Sequence, residues 1–488
     1  MSSVFEGLEP KILWQYFNAV TQTPRCSGSE ERILAYLDSV AREHGLTTRR
    51  DRVGNLVIVV PAARGCESAP TVVLQGHVDM VCEKNREIDH DFDRQGIEVV
   101  RDGDWLTARG TTLGGDNGVA LAAMLALLDE PPGRHGPLEL LFTVDEERGL
   151  TGAGGIEPHM LKGRVMLNLD SEEEGFVTVG CAGGGDTVVT LHGRREALPA
   201  GWEVVQLSVR GLQGGHSGME IICNRANALR CLGRALDRLS RELSGLRLHG
   251  LEGGSKRNAI PREARATVAL PAGGYDRSAD LLRGLTAELR AEFAPSDPDL
   301  EVLLERGAAI PPQPFDAATS SRAVTLLLAT PTGVLAMNRQ IAGLVETSTN
   351  LGVVEQQADL LRFISCTRSA VAPALEGVRQ TLRALGEALG AQVQQEPAYP
   401  GWNPDLGSKL LATFKSVHKE VTGAEPQVMA IHAGLECGIL GERFPGMDMI
   451  SFGPDLKGVH APGERLSIPS TGRFFRLLKA LLEALTRP

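Results

Sequence analysis

No apolar run in the chain approaches the roughly 18 residues that a membrane-spanning helix needs. The opening residues, MSSVFEGLEPK, have neither a basic start nor an apolar core, so no secretory leader is expected. An excess of basic charge is also missing. Lys and Arg number 50 against 61 Asp and Glu, a net charge of -11, which argues against nucleic acid or an anionic membrane as the main partner. Cysteine is sparse: eight in 488 residues, with no C-x-x-C pair, exclude a disulfide scaffold and a zinc ribbon. Reduced, mostly buried thiols in the cytoplasm are expected instead. Aromatics are only 4%, whereas Gly (56) and Pro (27) are plentiful, so tight turns should be common. With 42% hydrophobic and 23% charged residues the chain must fold, and its length suggests roughly two to four domains.

What is present alternates between strand and helix signals. Ser29 precedes a helix with apolar Ile33, Leu34, Leu37, Val40 and Ala41, which Gly45 stops. Apolar runs at Leu56–Val60, Thr71–Leu74, Pro137–Val144 and Arg164–Leu169 read as strands, and Asp116–Leu128 as an apolar helix. This alternation predicts an α/β fold with a mostly parallel sheet, whose ligands sit beyond the carboxyl ends of its strands. After Gly183–Gly185 the character changes. Alternating Glu203–Val209, a helix over Asn224–Leu239, the strand ARATVALP and strand-like 351–366 predict an α+β insert. The expected division is a catalytic domain at 1–185 and 397–488, with an inserted lid domain at 186–396.

Three strand ends carry acidic or histidine side chains. His77 and Asp79 form H-x-D, and residues two apart on a strand point the same way. Asp79 can then orient the imidazole of a metal-bound His77. Taken alone, such a short motif is weak. Asp116 in GGDNG reads either as a turn carboxylate capping the next helix or as a bridge between two cations. Glu146 and Glu147 follow one strand and Asp170 ends another, while His460 sits in the Pro/Gly-rich KGVHAPGE. Two histidines and three carboxylates, without thiolate, suit Zn²⁺, with Mn²⁺ or Co²⁺ as substitutes. A shared carboxylate would make a two-metal site, and an unligated glutamate could move the proton of an activated water, which amounts to amide hydrolysis.

In these residues the chain resembles the aminoacyl-histidine dipeptidases (Xaa-His dipeptidase, cytosol nonspecific dipeptidase), a branch of the co-catalytic zinc aminoacylase/carboxypeptidase superfamily. QGHVDMVCEKN, ARGTTLGGDNGVA, DEERGLTGA, NLDSEEEG, GCAGG, GLQGGHSG, RNAIPREA, AYPGW, IHAGLECG and HAPGE follow in that order, from about residue 50 to 465. The resemblance implies that His77, Asp116 and Asp170 hold one zinc, and Asp116, Glu147 and His460 a second. It makes Asp79 the residue that orients His77, and Glu146 the general base and proton donor. It also implies that His216 of the lid stabilises the oxyanion, and that Asn258, Arg368 and the Gly434–Glu436 loop contact substrate. Small dipeptides as substrates, two Zn²⁺ per subunit and a cytoplasmic homodimer follow from the same resemblance. Asp145, before the glutamate pair, departs from relatives that also use Thr there.

Plainer roles fit the remaining candidates. His432 is expected to position a loop, and Glu172, Glu173 and Glu174 to form a solvated acidic run, one of them a candidate for a substrate ammonium. Cys181 and Cys437 show no pairing with His that would make a nucleophile. Asp405 and Asp448 read as loop carboxylates. Phe474, Phe475, Leu477, Leu478, Leu481 and Leu482 make the last helix amphipathic, facing the core. A dipeptidase is therefore expected. An N-acyl-amino-acid deacylase or carboxypeptidase is the alternative, and a non-catalytic derivative a third reading.

Overall fold

Val72–His77 is buried at every position, and both its neighbours run parallel to it. A strand buried on both faces belongs in the middle of a parallel sheet covered on both sides. In the computed structural model, which describes residues 3–487 apart from 199, 244 and 307–312, it lies inside an eight-stranded sheet. The order is 47–50, 56–60, 138–143, 72–77, 165–168, 448–451, 176–181 and 427–431. The four strands at 138–143, 72–77, 165–168 and 448–451 are parallel; 56–60 pairs antiparallel with 138–143, 47–50 pairs antiparallel with 56–60, and 176–181 pairs antiparallel with 448–451.

The parallel register levels the strand ends. His77 pairs with Thr143, and Gln75 pairs with Asn168. Glu146 and Glu147, like Asp170, therefore emerge just past the same edge as His77. The helix Gly115–Asp129 is buried from Asn117 to Leu127, as expected of a helix apolar all round, and Lys11–Thr21 packs on it. A four-stranded sheet (456–457, 465–467, 105–108, 99–102) carries the HAPGE segment. The last helix, Ile468–Ala484, buries all six apolar residues expected to face the core.

The chain forms two compact units: Met1–Cys181 with Trp402–Ala430 and Leu435–Pro488, and Ala182–Gly401 with Ile431–Gly434. The second is built on a nine-stranded antiparallel sheet. Helix Ala228–Glu242 shows how it is held. The Asn227 side chain accepts from the Arg230 N–H as a cap, and Leu229, Leu232, Leu236 and Leu239 share a core with Val205, Leu207, Val268 and Leu270. The strand-like run at 351–366 is in fact part of a hairpin, Val345–Gln357 against Leu360–Ser369. Its turn places Ala358 at φ 52°, without the Gly or Asn that would announce it.

The expectation of reduced thiols is corrected at one pair: Cys26 and Cys82 are joined by a disulfide. A parallel bridge between Cys26 and Met80 sets the two segments side by side, which 56 residues of separation conceal. Cys66, Cys181, Cys231, Cys366 and Cys437 are free and buried, and Cys223 is exposed. Burial pushes the Cys181 thiol up to about 11 and Cys437 well above its ordinary value, so neither is a ready nucleophile. Among the described residues no helix is long and apolar enough to cross a membrane.

Candidate metal centre

His77 closes its strand with 1% of its surface exposed. Its Nδ1 faces Asp79 Oδ1 at 3.3 Å, and its Nε2 faces Asp116 Oδ1 at 3.1 Å and Asp170 Oδ1 at 3.4 Å. Burial opposes charge on the ring, but Asp170, Asp116 and Asp79 raise its pKa well above the usual histidine value. Asp79 is itself buried and unfavourably desolvated. His77, the Ser27 hydroxyl and the Glu146 amide nonetheless hold it down to about 2. Its two oxygens also accept from the backbone N–H groups of Glu146 (3.0 Å) and Glu147 (3.2 Å). One carboxylate thus places both the His77 ring and the turn that presents the glutamates. Asp145, at φ 52°, begins that turn and accepts from Arg148 and from the Thr151 hydroxyl.

The backbone departs from helical geometry at Asp116 (ψ 114°) and Asn117 (ψ 32°), and the Asp116 side chain is turned toward histidines rather than toward the helix amides. The two Asp116 oxygens are divided instead. Oδ1 faces His77, and Oδ2 lies 3.2 Å from His460 Nε2. The same His460 nitrogen is 3.0 Å from Glu147 Oε2. Burial works against charge on Asp116, but His460 and His77 bring its pKa below the ordinary carboxylate range. Hydrogen bonds to Asp116 and Glu147 raise His460 to about 11 against its partial burial. Asp170 goes the other way: burial, helped by Asp116 and Glu172 and opposed by His77, pushes it up to about 7. Burial also pushes Glu146 up to about 9, with Asp170, Glu436 and Glu147 adding to it and His77 opposing.

So many carboxylates at one sheet edge call for positive charge. His77, Asp116 and Asp170 offer ligand atoms within 4.8 Å of one another, and so do Asp116, Glu147 and His460, with Asp116 common to both groups. Glu147 Oε1 is buried with no hydrogen-bond partner, and Asp170 Oδ1 has only His77 Nε2 beside it at 3.4 Å. Nitrogen and oxygen donors, a shared carboxylate and these under-satisfied oxygens fit a pair of divalent cations. His77, Glu146 and Glu147 also lie within reach of one another, so proximity alone does not separate the roles of the two glutamates.

The second unit gathers another set. His216 lies on a two-residue strand paired with Ala259–Ile260, and Ser217 N–H donates to the Asn258 carbonyl. His216 Nδ1 accepts from the amides of Gly218 (3.3 Å) and Met219 (3.0 Å). That fixes the neutral tautomer with its proton on Nε2. Burial and Arg368 lower its pKa, which keeps the ring neutral. Arg368 is 7% exposed; it donates to the Tyr399 hydroxyl, and its Nε has no hydrogen-bond partner. The Asn258 side chain is exposed, and Gly434 lies against the Tyr399 ring. His432 bonds Ser348 at 2.7 Å, and burial with Arg368 lowers it to about 4, in keeping with a loop-positioning residue.

Some residues take places that their patterns do not announce. Glu436 turns into the interior of the first unit, accepting from Gln75 and from the Thr143 hydroxyl. Glu174 leaves the expected solvated run for a two-pronged pair with Arg473, and Asp448 accepts from Ser408. Arg25 and Glu464 are buried charges that hold backbone, a role with no sequence signal beyond their flanking glycines and prolines.

A mixed sheet with a shared-carboxylate site past its parallel strand ends defines a metallopeptidase-type hydrolase centre. Residues 73–484 match the model of peptidase family M20/M25/M40, and the chain belongs to that family. It is 40% identical over 481 residues to the cytosol non-specific dipeptidase of Escherichia coli (strain K12), with 99% of each chain covered. It is similar to the crystal structure of aminoacylhistidine dipeptidase from Vibrio alginolyticus: TM-score 0.93, 43% identity, 99% of this chain and 98% of that one. An aminopeptidase from Bacillus cereus shares the fold at TM-score 0.58 and 15% identity, covering 98% and 100%.

Proposed function

We propose that the chain is a two-zinc dipeptidase that hydrolyses unblocked dipeptides, Xaa-His among them, with Mn²⁺ or Co²⁺ able to replace zinc. The observation that carries this reading is the division of the Asp116 carboxylate between His77 and His460, each with a further buried carboxylate alongside. The names of the two full-length relatives support the dipeptide substrate.

His77, Asp116 and Asp170 would hold one ion, and Asp116, Glu147 and His460 the other. Bound there, divalent cations supply Lewis acidity toward the scissile carbonyl and acidify water. Asp79 keeps the His77 ring in register and fixes the glutamate turn. Glu146 takes a proton from the attacking water and returns it to the leaving amine. His216, protonated on Nε2, supplies a donor for the developing oxyanion. Asn258, Arg368 and Gly434 contact the substrate, and the unbonded Arg368 Nε suits a carboxylate. The second unit serves as the inserted lid, and a cytoplasmic homodimer completes the reading.

Deacylation of N-acyl amino acids or carboxypeptidase action is the competing chemistry. A panel of dipeptides, tripeptides and N-acetyl amino acids, run with zinc-reconstituted protein, separates them. Dipeptides with a free amino terminus should have the highest kcat/KM. A preference for N-acetyl amino acids or longer peptides would overturn the assignment.

A further inference from the structure

Glu464 is 2% exposed, and no positive side chain forms an ion pair with it among the described residues. Its carboxylate is spent on backbone. Oε2 accepts from the N–H groups of Leu113 (2.8 Å) and Gly114 (3.0 Å), and Oε1 from those of Gly115 (2.7 Å) and Asp116 (3.2 Å). These four consecutive amides belong to the loop that presents Asp116. The opposite side of that loop is held by Arg25, which is 1% exposed. Its Nη2 donates to the Gly114 carbonyl, and its Nη1 to the carbonyls of Val78 (3.0 Å) and Asp79 (2.8 Å). Gly114 sits at φ 68°, and a Cβ there would lie 2.6 Å from Arg25 Nη2 and 2.7 Å from Met80 Sδ. A side chain there would strain the left-handed backbone and press on Arg25 and Met80.

Glu464 lies four residues beyond His460 and is anchored on its own side. Its N–H donates to the Ala461 carbonyl, and its carbonyl accepts from the Thr107 hydroxyl at 2.7 Å. A continuous chain of contacts therefore runs from the His460 loop through Glu464 to the Asp116 loop, and on through Arg25 to the strand end carrying His77 and Asp79. A carboxylate shared by two ions would have to meet both at once, so the spacing of these three segments would govern how well the site holds metal. Groups that orient metal ligands in this way typically contribute about 10–100-fold in metal affinity.

We infer that Glu464 is a positioning residue for metal binding, holding the bridging Asp116 in register with His460, with Arg25 setting the same loop against His77. The inference rests on the two-metal reading of the site.

The test compares wild type with Glu464→Gln and Glu464→Asp. Each is stripped of metal, its melting temperature is recorded, and its zinc affinity is measured by competition with a chromophoric chelator. Activity on a dipeptide follows at limiting and at saturating zinc. In Glu464→Gln the zinc dissociation constant should rise about 10–100-fold. KM should stay unchanged, and the kcat lost at limiting zinc should return at saturation. Glu464→Asp keeps the charge but is one methylene shorter, and should fall between the two. A folded Glu464→Gln with wild-type zinc affinity refutes the inference, whatever its melting temperature. Should the glutamine protein not fold, the aspartate protein carries the same readout. Failure of both to fold would assign Glu464 to the fold alone and also overturn the inference. A wild-type protein that binds no zinc would instead remove the metal reading on which the inference depends.

Discussion

Replacing Glu146 with glutamine separates proton transfer from metal binding, because the change is nearly isosteric and leaves Glu147 in place. In the metal-free protein Glu146 lies buried beside Asp170, Glu436 and Glu147, with its pKa pushed up to about 9. A carboxyl whose pKa is raised on folding binds more protons folded than unfolded. Its contribution to stability therefore falls as pH rises from the usual glutamate range, about 4.3, toward 9. Glutamine does not titrate. The melting temperature of metal-free Glu146→Gln, minus that of metal-free wild type, should grow between pH 5 and pH 9. With zinc restored, both ions should remain, because His77, Asp116, Glu147, Asp170 and His460 are untouched. Turnover should fall by the worth of a general base, about 10²–10⁴-fold, or about 2.7–5.4 kcal/mol. Glu146 would also protonate the leaving amine, so the upper end is expected. The assay pairs metal content by mass spectrometry with kcat for a dipeptide, alongside melting curves across pH. Loss of an ion, or retention of more than about a tenth of wild-type turnover, would refute the division of labour between the glutamates.

Two further substitutions probe other parts of the account. His216→Ala should lower kcat about 10²–10³-fold with zinc content unchanged, the usual loss for one oxyanion donor; unaltered kcat would remove His216 from the reaction. Gly114→Ala places a Cβ at φ 68° against Arg25 and Met80. Backbone strain alone should cost about 1–2 kcal/mol, read as a lower melting temperature, with weaker zinc binding beside it; wild-type values for both would contradict the tight placing of the Asp116 loop.

The candidate site is legible where chemistry and strand ends coincide. His77, Glu147 and Asp170 follow apolar runs, and the parallel register alone brings such ends together. The helix at 116–128 was legible from its unbroken apolar run, but not the loop geometry that turns Asp116 away from capping it. Arg25 and Glu464 stayed hidden because they act on carbonyls and amides, which every residue possesses. The Cys26–Cys82 pair depends on two segments that meet only in the folded chain. The hairpin at 345–369 escaped because its turn residue, Ala358, takes a left-handed conformation that sequence assigns to Gly or Asn. The sequence groups Glu436 with its loop neighbours, whereas its carboxylate accepts from Gln75 and from the Thr143 hydroxyl in the interior.

The central claim is that Asp116 bridges two ions, and counting metal in single-ligand variants tests it most directly. Wild type, Asp116→Ala, Asp170→Ala and His460→Ala are reconstituted with zinc, desalted, and analysed for metal per chain by mass spectrometry. The wild type should hold two ions. Asp170→Ala and His460→Ala should each lose chiefly one, because each belongs to a single group of ligands, and Asp116→Ala should lose both. A wild type with one ion, or an Asp116→Ala protein that keeps one as firmly as the single-group variants do, would contradict the bridge.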